Sequence, residues 1–223
     1  MVDVSAQVDA VTRRVQTHGA NGEITRVQHL SQTLPREIDD LWETMTSAEH
    51  IPHWFQAISG DLRRGGRYQF QAQAGGTVEE CEPPTEGSAH FRVTWEGGGA
   101  TTWVTIRLST VDAGHTELAL EHVAGDHAIP PGFWETYGPG ATGVGWDGVF
   151  LGIALYLAGD RSVTPDTAEA WALSGEGRAF YRASANAWAL AQIADGTAPE
   201  AAEAAADATY RFYAGADAAE SVE

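Results

Sequence analysis

The sequence predicts an α+β protein, with a curved antiparallel sheet around one long apolar helix and further helices after it. Three observations carry this. From Ile58 to Val123, apolar and polar side chains alternate at period two between glycine turns. The run Val144 to Leu157 reads as a long apolar helix that can lie across the sheet. Beyond Pro165 the chain is Ala-rich with helical spacing of its large apolar residues.

In chain order, Val4, Val8, Val11 and Val15 fall at helical spacing and predict a helix ending near His18-Gly19. Glu23 to Thr33 reads as a strand. Leu34-Pro35 opens a helix carrying Ile38, Leu41, Trp42 and Met45, and Thr46 with Glu49 forms a capping box for a second, short one. Alternation then marks Arg67–Ala72, Ala89–Trp95, Thr102–Leu108 and Thr116–His122. Gly65-Gly66, Gly75-Gly76, Gly97-Gly98-Gly99 and Ala113-Gly114 are the expected turns. The apolar face of this meander needs a cover, and the 144–157 run is the candidate. Pro165 is expected to start another helix, Gly175 to Ala194 forms the next, and a Thr197/Glu200 capping box opens a last one to Tyr213. The expected organisation is an N-terminal helical arm (1–22), a sheet-and-helix domain (23–158) and a helical extension packed on the core (159–223).

Composition excludes several functions. The chain has 13 basic residues, all arginine, against 31 acids, for a net charge of −18. Nucleic acid and anionic membrane are therefore not expected as partners. Without lysine there is no Schiff-base chemistry and no Walker-type phosphate loop. The single Cys81 excludes an intrachain disulfide. Its neighbours Glu79, Glu80 and Glu82 should raise its pKa and leave it inert. No stretch reaches the roughly 18–20 uninterrupted apolar residues of a membrane helix. Met1-Val2-Asp3-Val4 has no signal-peptide character, so a cytoplasmic protein is expected.

The order strand, two short helices, meander, long helix is that of the helix-grip fold. Leu34-Pro35-Arg36-Glu37-Ile38-Asp39-Asp40-Leu41-Trp42 with Thr46 to Phe55, Gly60-Asp61-Leu62-Arg63-Arg64-Gly65-Gly66-Arg67-Tyr68, and Gly76 to Pro84 carry a family resemblance. So do Val93-Thr94-Trp95, Leu118-Ala119-Leu120-Glu121-His122 and Gly145-Trp146-Asp147. Together, over roughly 23–158, they resemble the heat-shock-protein ATPase activator homologue branch of the START-like (SRPBCC) superfamily. The extension is similar to tails on actinobacterial relatives. The resemblance implies an internal cavity for a small apolar molecule but no particular reaction, since relatives bind lipids, cyclise polyketides or protect antibiotic producers.

The expected ligand contacts are Tyr68, Phe91, Trp95, Trp103, His122 and Trp146, lining a void between the sheet and the 144–158 helix. His122 shares the inward face with Leu118 and Leu120, where a polar tip could orient a guest. Gly138-Pro139-Gly140-Ala141-Thr142-Gly143 matches G-x-G-x-x-G but lacks the parallel strand of a dinucleotide site, and reads as a glycine loop able to gate a cavity. His50 and His53 stand three apart without a third ligand, so neither metal nor other cofactor is expected.

The leading expectation is non-catalytic binding of a small hydrophobic or aromatic molecule, with a homodimer left open. The alternatives are a polyketide cyclase or dehydratase using His122, Tyr68 or Glu80, a self-resistance protein of a natural-product cluster, and a protein-interaction module.

Overall fold

The computed structural model describes residues 3–20, 22–71 and 74–215. Its internal contacts divide the chain into two compact units, Thr17–Ala128 on the one hand and Met1–Gln16 with Ile129–Glu223 on the other.

The first unit holds most of an eight-stranded sheet. Its strands are β1 (Thr12–Ala20), β2 (Glu23–Leu34), β3 (Ile58–Gly60), β4 (Arg67–Phe70), β5 (Gly75–Thr85), β6 (Ser88–Gly97), β7 (Ala100–Asp112) and β8 (His115–Gly125). They lie in the order β1-β2-β8-β7-β6-β5-β4-β3 as a curved antiparallel sheet. The α+β helix-grip class read from the sequence is therefore correct. Between β2 and β3 come α2 (Ile38–Thr46) and a 3-10 turn, Ile51–His53. Pro35 ends β2's ladder, and Asp39 and Asp40 sit favourably in the first turn of α2. The helix packs on β5 to β8 and buries Ile38, Leu41 and Met45.

The second unit contains α1 (Val4–Ala10), α3 (Phe133–Tyr137), α4 (Gly140–Leu157), α5 (Ala168–Ala172), α6 (Gly175–Ala194) and α7 (Pro199–Ala214). Val4, Val8, Leu151, Leu155 and Phe180 form its apolar centre. Among the described residues α4 is long and apolar enough to cross a membrane by length and composition alone, although Asp147 interrupts its apolar run. Its apolarity has a local explanation, since α1, α3, α6 and α7 surround it.

Several local expectations give way. The valine series does not make one helix. Arg13 donates from Nη1 to the carbonyls of Val8 (3.0 Å) and Val11 (2.8 Å), satisfying the end of α1. From Thr12 the chain is strand, and Val15 is buried in it. Gly75 and Gly76 are not a turn but the start of β5. A Cβ on Gly76 would lie 1.9 Å from the carbonyl oxygen of Thr94, so glycine is required by close approach of the chains. Thr46 does not cap. Its hydroxyl donates to the Trp42 carbonyl, while Ser47 Oγ accepts from the Glu49 amide. The helix after Pro165 begins only at Ala168, and α7 has Ala198 rather than Thr197 at its N-cap, with Pro199 in the first turn. β4 ends at Phe70, and Ala72 lies outside the described residues.

Candidate functional site

Cross-strand register sorts the side chains of the sheet into rows on its better-buried face. One row runs Phe91, Ile106, Leu120, Leu30 across β6, β7, β8 and β2. The next runs Val93, Val104, His122, Gln28. Beyond it Trp95 pairs with Thr102, and Arg26 with Ala124. Because successive residues of a strand point to opposite faces, this register decides which side chains meet.

The β4–β6 half of the face is aromatic. Phe70 lies 5.6 Å from Trp95 and 5.5 Å from Tyr68, centroid to centroid. Phe55, from the segment after α2, meets Phe70 at 4.9 Å and Trp95 at 6.4 Å. Trp42 of α2 meets Phe91 edge-on at 6.1 Å. Phe55, Phe91 and Trp95 remain only half-buried within this network.

The β8–β2 half carries polar side chains that are nonetheless buried: Arg26, Gln28, Gln32 and His122. His122 Nε2 lies 2.9 Å from Thr102 Oγ1, which itself donates to the Trp95 carbonyl at 3.4 Å. Burial pushes the His122 imidazole down to about 4, so the ring is neutral near pH 7. Arg26 pairs with Asp126, just past the end of β8.

The structure brings together four of the six residues selected from sequence: Tyr68, Phe91, Trp95 and His122 lie on this face. Trp103 does not. It pairs with Thr94 and Val123 and points to the opposite side from Thr102 and Val104. Trp146 is buried on α4, in the helical unit. Tyr68 is buried, with its hydroxyl donating to the Thr94 carbonyl at 2.7 Å, and burial pushes its pKa up. Glu80 pairs in register with Arg92, away from the Phe91 row, and lies 3.1 Å from His90 Nε2. The Cys81 thiol is raised by burial first and by Glu82 second. His50 Nε2 lies 3.8 Å from Glu43. Among the described residues no three His, Cys, Asp or Glu side chains gather as a metal site.

Sequence reasoning missed Arg26, Gln28 and Gln32. It also missed the polar centre of the helical unit. Asp147 of α4 is buried and accepts from Arg13 Nε at 3.0 Å and from Trp188 Nε1 at 3.0 Å, with a short bond from Ser184 Oγ. Arg13 Nη2 completes the ion pair at 2.9 Å. Burial pushes the carboxyl up, opposed by Arg13, Ser184 and Trp188. An Asp inside the apolar run was the available signal.

The glycine segment is not a gating loop. Gly140 and Gly143 lie within α4, and a Cβ on Gly143 would stand 2.2 Å from the Trp188 ring. A Cβ on Gly138 would meet the Gln192 amide at 2.6 Å. These glycines admit neighbouring side chains against the backbone.

A family profile described as activator of Hsp90 ATPase homolog 1-like protein matches residues 35–158. The chain belongs to this family. It is the branch of the START-like superfamily that the strand and helix motifs resemble. The matched segment contains all six residues selected from sequence and Asp147, while α5, α6 and α7 follow it. No curated protein matches the chain. Among solved structures, CalU16 from Micromonospora echinospora is similar in its solution form, at 26% identity over 84% of this chain and 97% of that one, with a TM-score of 0.64. Its crystal form gives 24% identity over 82% of this chain and 98% of that one, with a TM-score of 0.61. EF2215 from Enterococcus faecalis, a conserved protein of unknown function, shares the fold at 12% identity, covering 87% of this chain and 96% of that one with a TM-score of 0.58.

Proposed function

We propose that this protein binds a small hydrophobic or aromatic molecule against the aromatic half of its sheet face, and that it does so without catalysing a reaction. The observation that supports this reading is the set of half-buried rings Phe55, Phe91 and Trp95, joined to buried Phe70 and Tyr68 by ring contacts. Incompletely buried aromatics held rigidly by their neighbours present stacking area at little cost in conformational entropy. The contacts proposed are Tyr68, Phe91, Trp95 and His122.

A cyclase or dehydratase would need an acid or base on this face. Tyr68 is committed to the Thr94 carbonyl, Glu80 to His90, and His122 is a weak base whose Nε2 meets Thr102. These commitments favour binding over proton transfer. The acidic composition and lone cysteine suit a cytoplasmic protein whose partner is neither nucleic acid nor membrane.

Titration with hydrophobic dyes and aromatic polyketides tests the proposal through tryptophan fluorescence. Saturable quenching is expected, with binding about tenfold weaker in Trp95→Ala, corresponding to the roughly 1–1.5 kcal/mol of one aromatic contact. Absence of saturable binding across the panel would refute it.

A further inference from the structure

We propose that a second copy of this chain docks on the exposed face of α7, as a two-fold dimer whose two α7 helices run antiparallel. The proposal goes beyond ligand binding and does not depend on it.

The face carries a joined patch of rings. Phe212 is 55% exposed, yet its ring is held by Tyr137 at 5.7 Å and by Tyr213 at 5.3 Å. Tyr137 in turn meets Phe133 of α3 at 4.9 Å, and both are half-buried. Single exposed apolar residues are ordinary, whereas a contiguous group of large rings marks an interaction surface. A ring already fixed by its neighbours loses little freedom on docking.

The rest of the face identifies the partner. Ala201, Ala204, Ala208 and Phe212 recur at spacings of three, four and four, so they share one side of α7. Ala202, Ala205, Ala206 and Thr209 are buried on the other side. The face thus has a projecting ring at its C-terminal end and exposed alanines, Ala201 and Ala204, at its N-terminal end. A two-fold axis through Ala208 reverses the helix. It brings each Phe212, four positions after Ala208, onto the partner's Ala204, four positions before it. Ring meets recess twice, which is the self-complementarity an isologous interface requires.

Charge follows the same polarity. Exposed Glu200, Asp207 and Arg211, at spacings of seven and four, border the face with the acids first and the cation last. The reversal places Arg211 about 3 Å along the axis from the partner's Asp207, from the rise per helical residue. Parallel pairing would instead set Arg211 beside Arg211 and ring against ring. Asp207 already pairs with Arg182 of its own chain, and its carboxylate has lone pairs for a second donor.

Sedimentation equilibrium of the full chain over a wide range of protein concentration tests the proposal. The wild type should show a reversible monomer–dimer equilibrium. Phe212→Ala should weaken dimerisation about hundredfold, because each ring contact is worth about tenfold and occurs twice. Ala204→Phe should weaken it too, since it fills the recess that the partner's Phe212 needs. Combining the two exchanges ring and recess and should restore the dimer. A wild type that stays monomeric throughout overturns the proposal and leaves the patch to a different partner. A dimer that Phe212→Ala leaves intact overturns it as well, and so does a double variant no better than either single one. Should Phe212→Ala not fold, Ala204→Glu reads the same face without touching the rings. Its dimer should be lost, and a dimer that persists overturns the proposal.

Discussion

The helical unit buries the Arg13–Asp147 ion pair among further donors, while the sheet unit buries the neutral side chains of Gln28 and His122 on a largely apolar face. Asp147 receives Arg13, Ser184 and Trp188 together, so its oxygens are spoken for by the protein's own donors. That arrangement ties the start of β1 to α4 and α6. Gln28, His122 and Thr102 carry no net charge and adjoin half-buried rings. The contrast separates a buried charged pair from buried neutral polar groups. Burial alone would not distinguish them, because Asp147 and His122 are both buried.

The largest effect is expected where the Asp147 network is broken. Asp147→Ala leaves Arg13 buried without its counter-ion and should lower stability by about 3–5 kcal/mol, measured by urea unfolding. The double replacement Arg13→Met with Asp147→Leu should recover most of this loss, because neither member of the pair is then left as an unpaired buried charge. A double variant as unstable as the single one would show that the network does more than neutralise itself.

His122 sharpens the other side of the comparison. Its pKa lies near 4 in the folded protein, below the ordinary value of 6.5. Between these values the unfolded chain takes up a proton that the folded chain refuses. The contribution is therefore fully present above pH 6.5 and is lost as the pH falls toward 4, by up to about 3 kcal/mol. Comparing unfolding at pH 7 and pH 4.5 in the wild type and in His122→Gln isolates it. An equal pH dependence in both would remove His122 as its source.

Packing in the helical unit should be less forgiving than the sheet's turns. Gly143→Ala places a methyl group against the Trp188 ring and should cost about 1–3 kcal/mol in thermal unfolding. The smallest effect is a gain. Glu86 adopts φ 52° in the β5–β6 hairpin, beside Gly87 at φ 77°. Glu86→Asn supplies the Asn-Gly pair favoured in such a turn and should stabilise by about 0.5–1 kcal/mol. No change in melting temperature would show that the strand pairing already determines this turn.

The strands β6, β7 and β8 were legible because their alternation is clean, and α6 was read with the bounds Gly175 to Ala194 that the structure shows. Within the candidate site, Phe91, Trp95 and His122 followed from the same alternation. The alternation also put Trp103 opposite Val104, and its expected role in the site ran against that pattern. β2 was legible as a strand but not by face. Arg26, Gln28 and Gln32 alternate with His29, Ser31 and Thr33, so both sides are mixed and neither announces itself as inner. Val4, Val8, Val11 and Val15 misled because β-branched residues at helical spacing suit a strand equally well.

Local periodicity and turn residues therefore determined, by themselves, the α+β class, the meander and most helices, because those depend on neighbours within a few positions. Tertiary structure alone decided the rest. The β2–β8 register set Gln28 across from His122, and the packing of α4 against α6 set Asp147 beside Ser184 and Trp188. Such contacts join residues dozens of positions apart. Their energies depend on which groups share a buried space, and no local pattern encodes that.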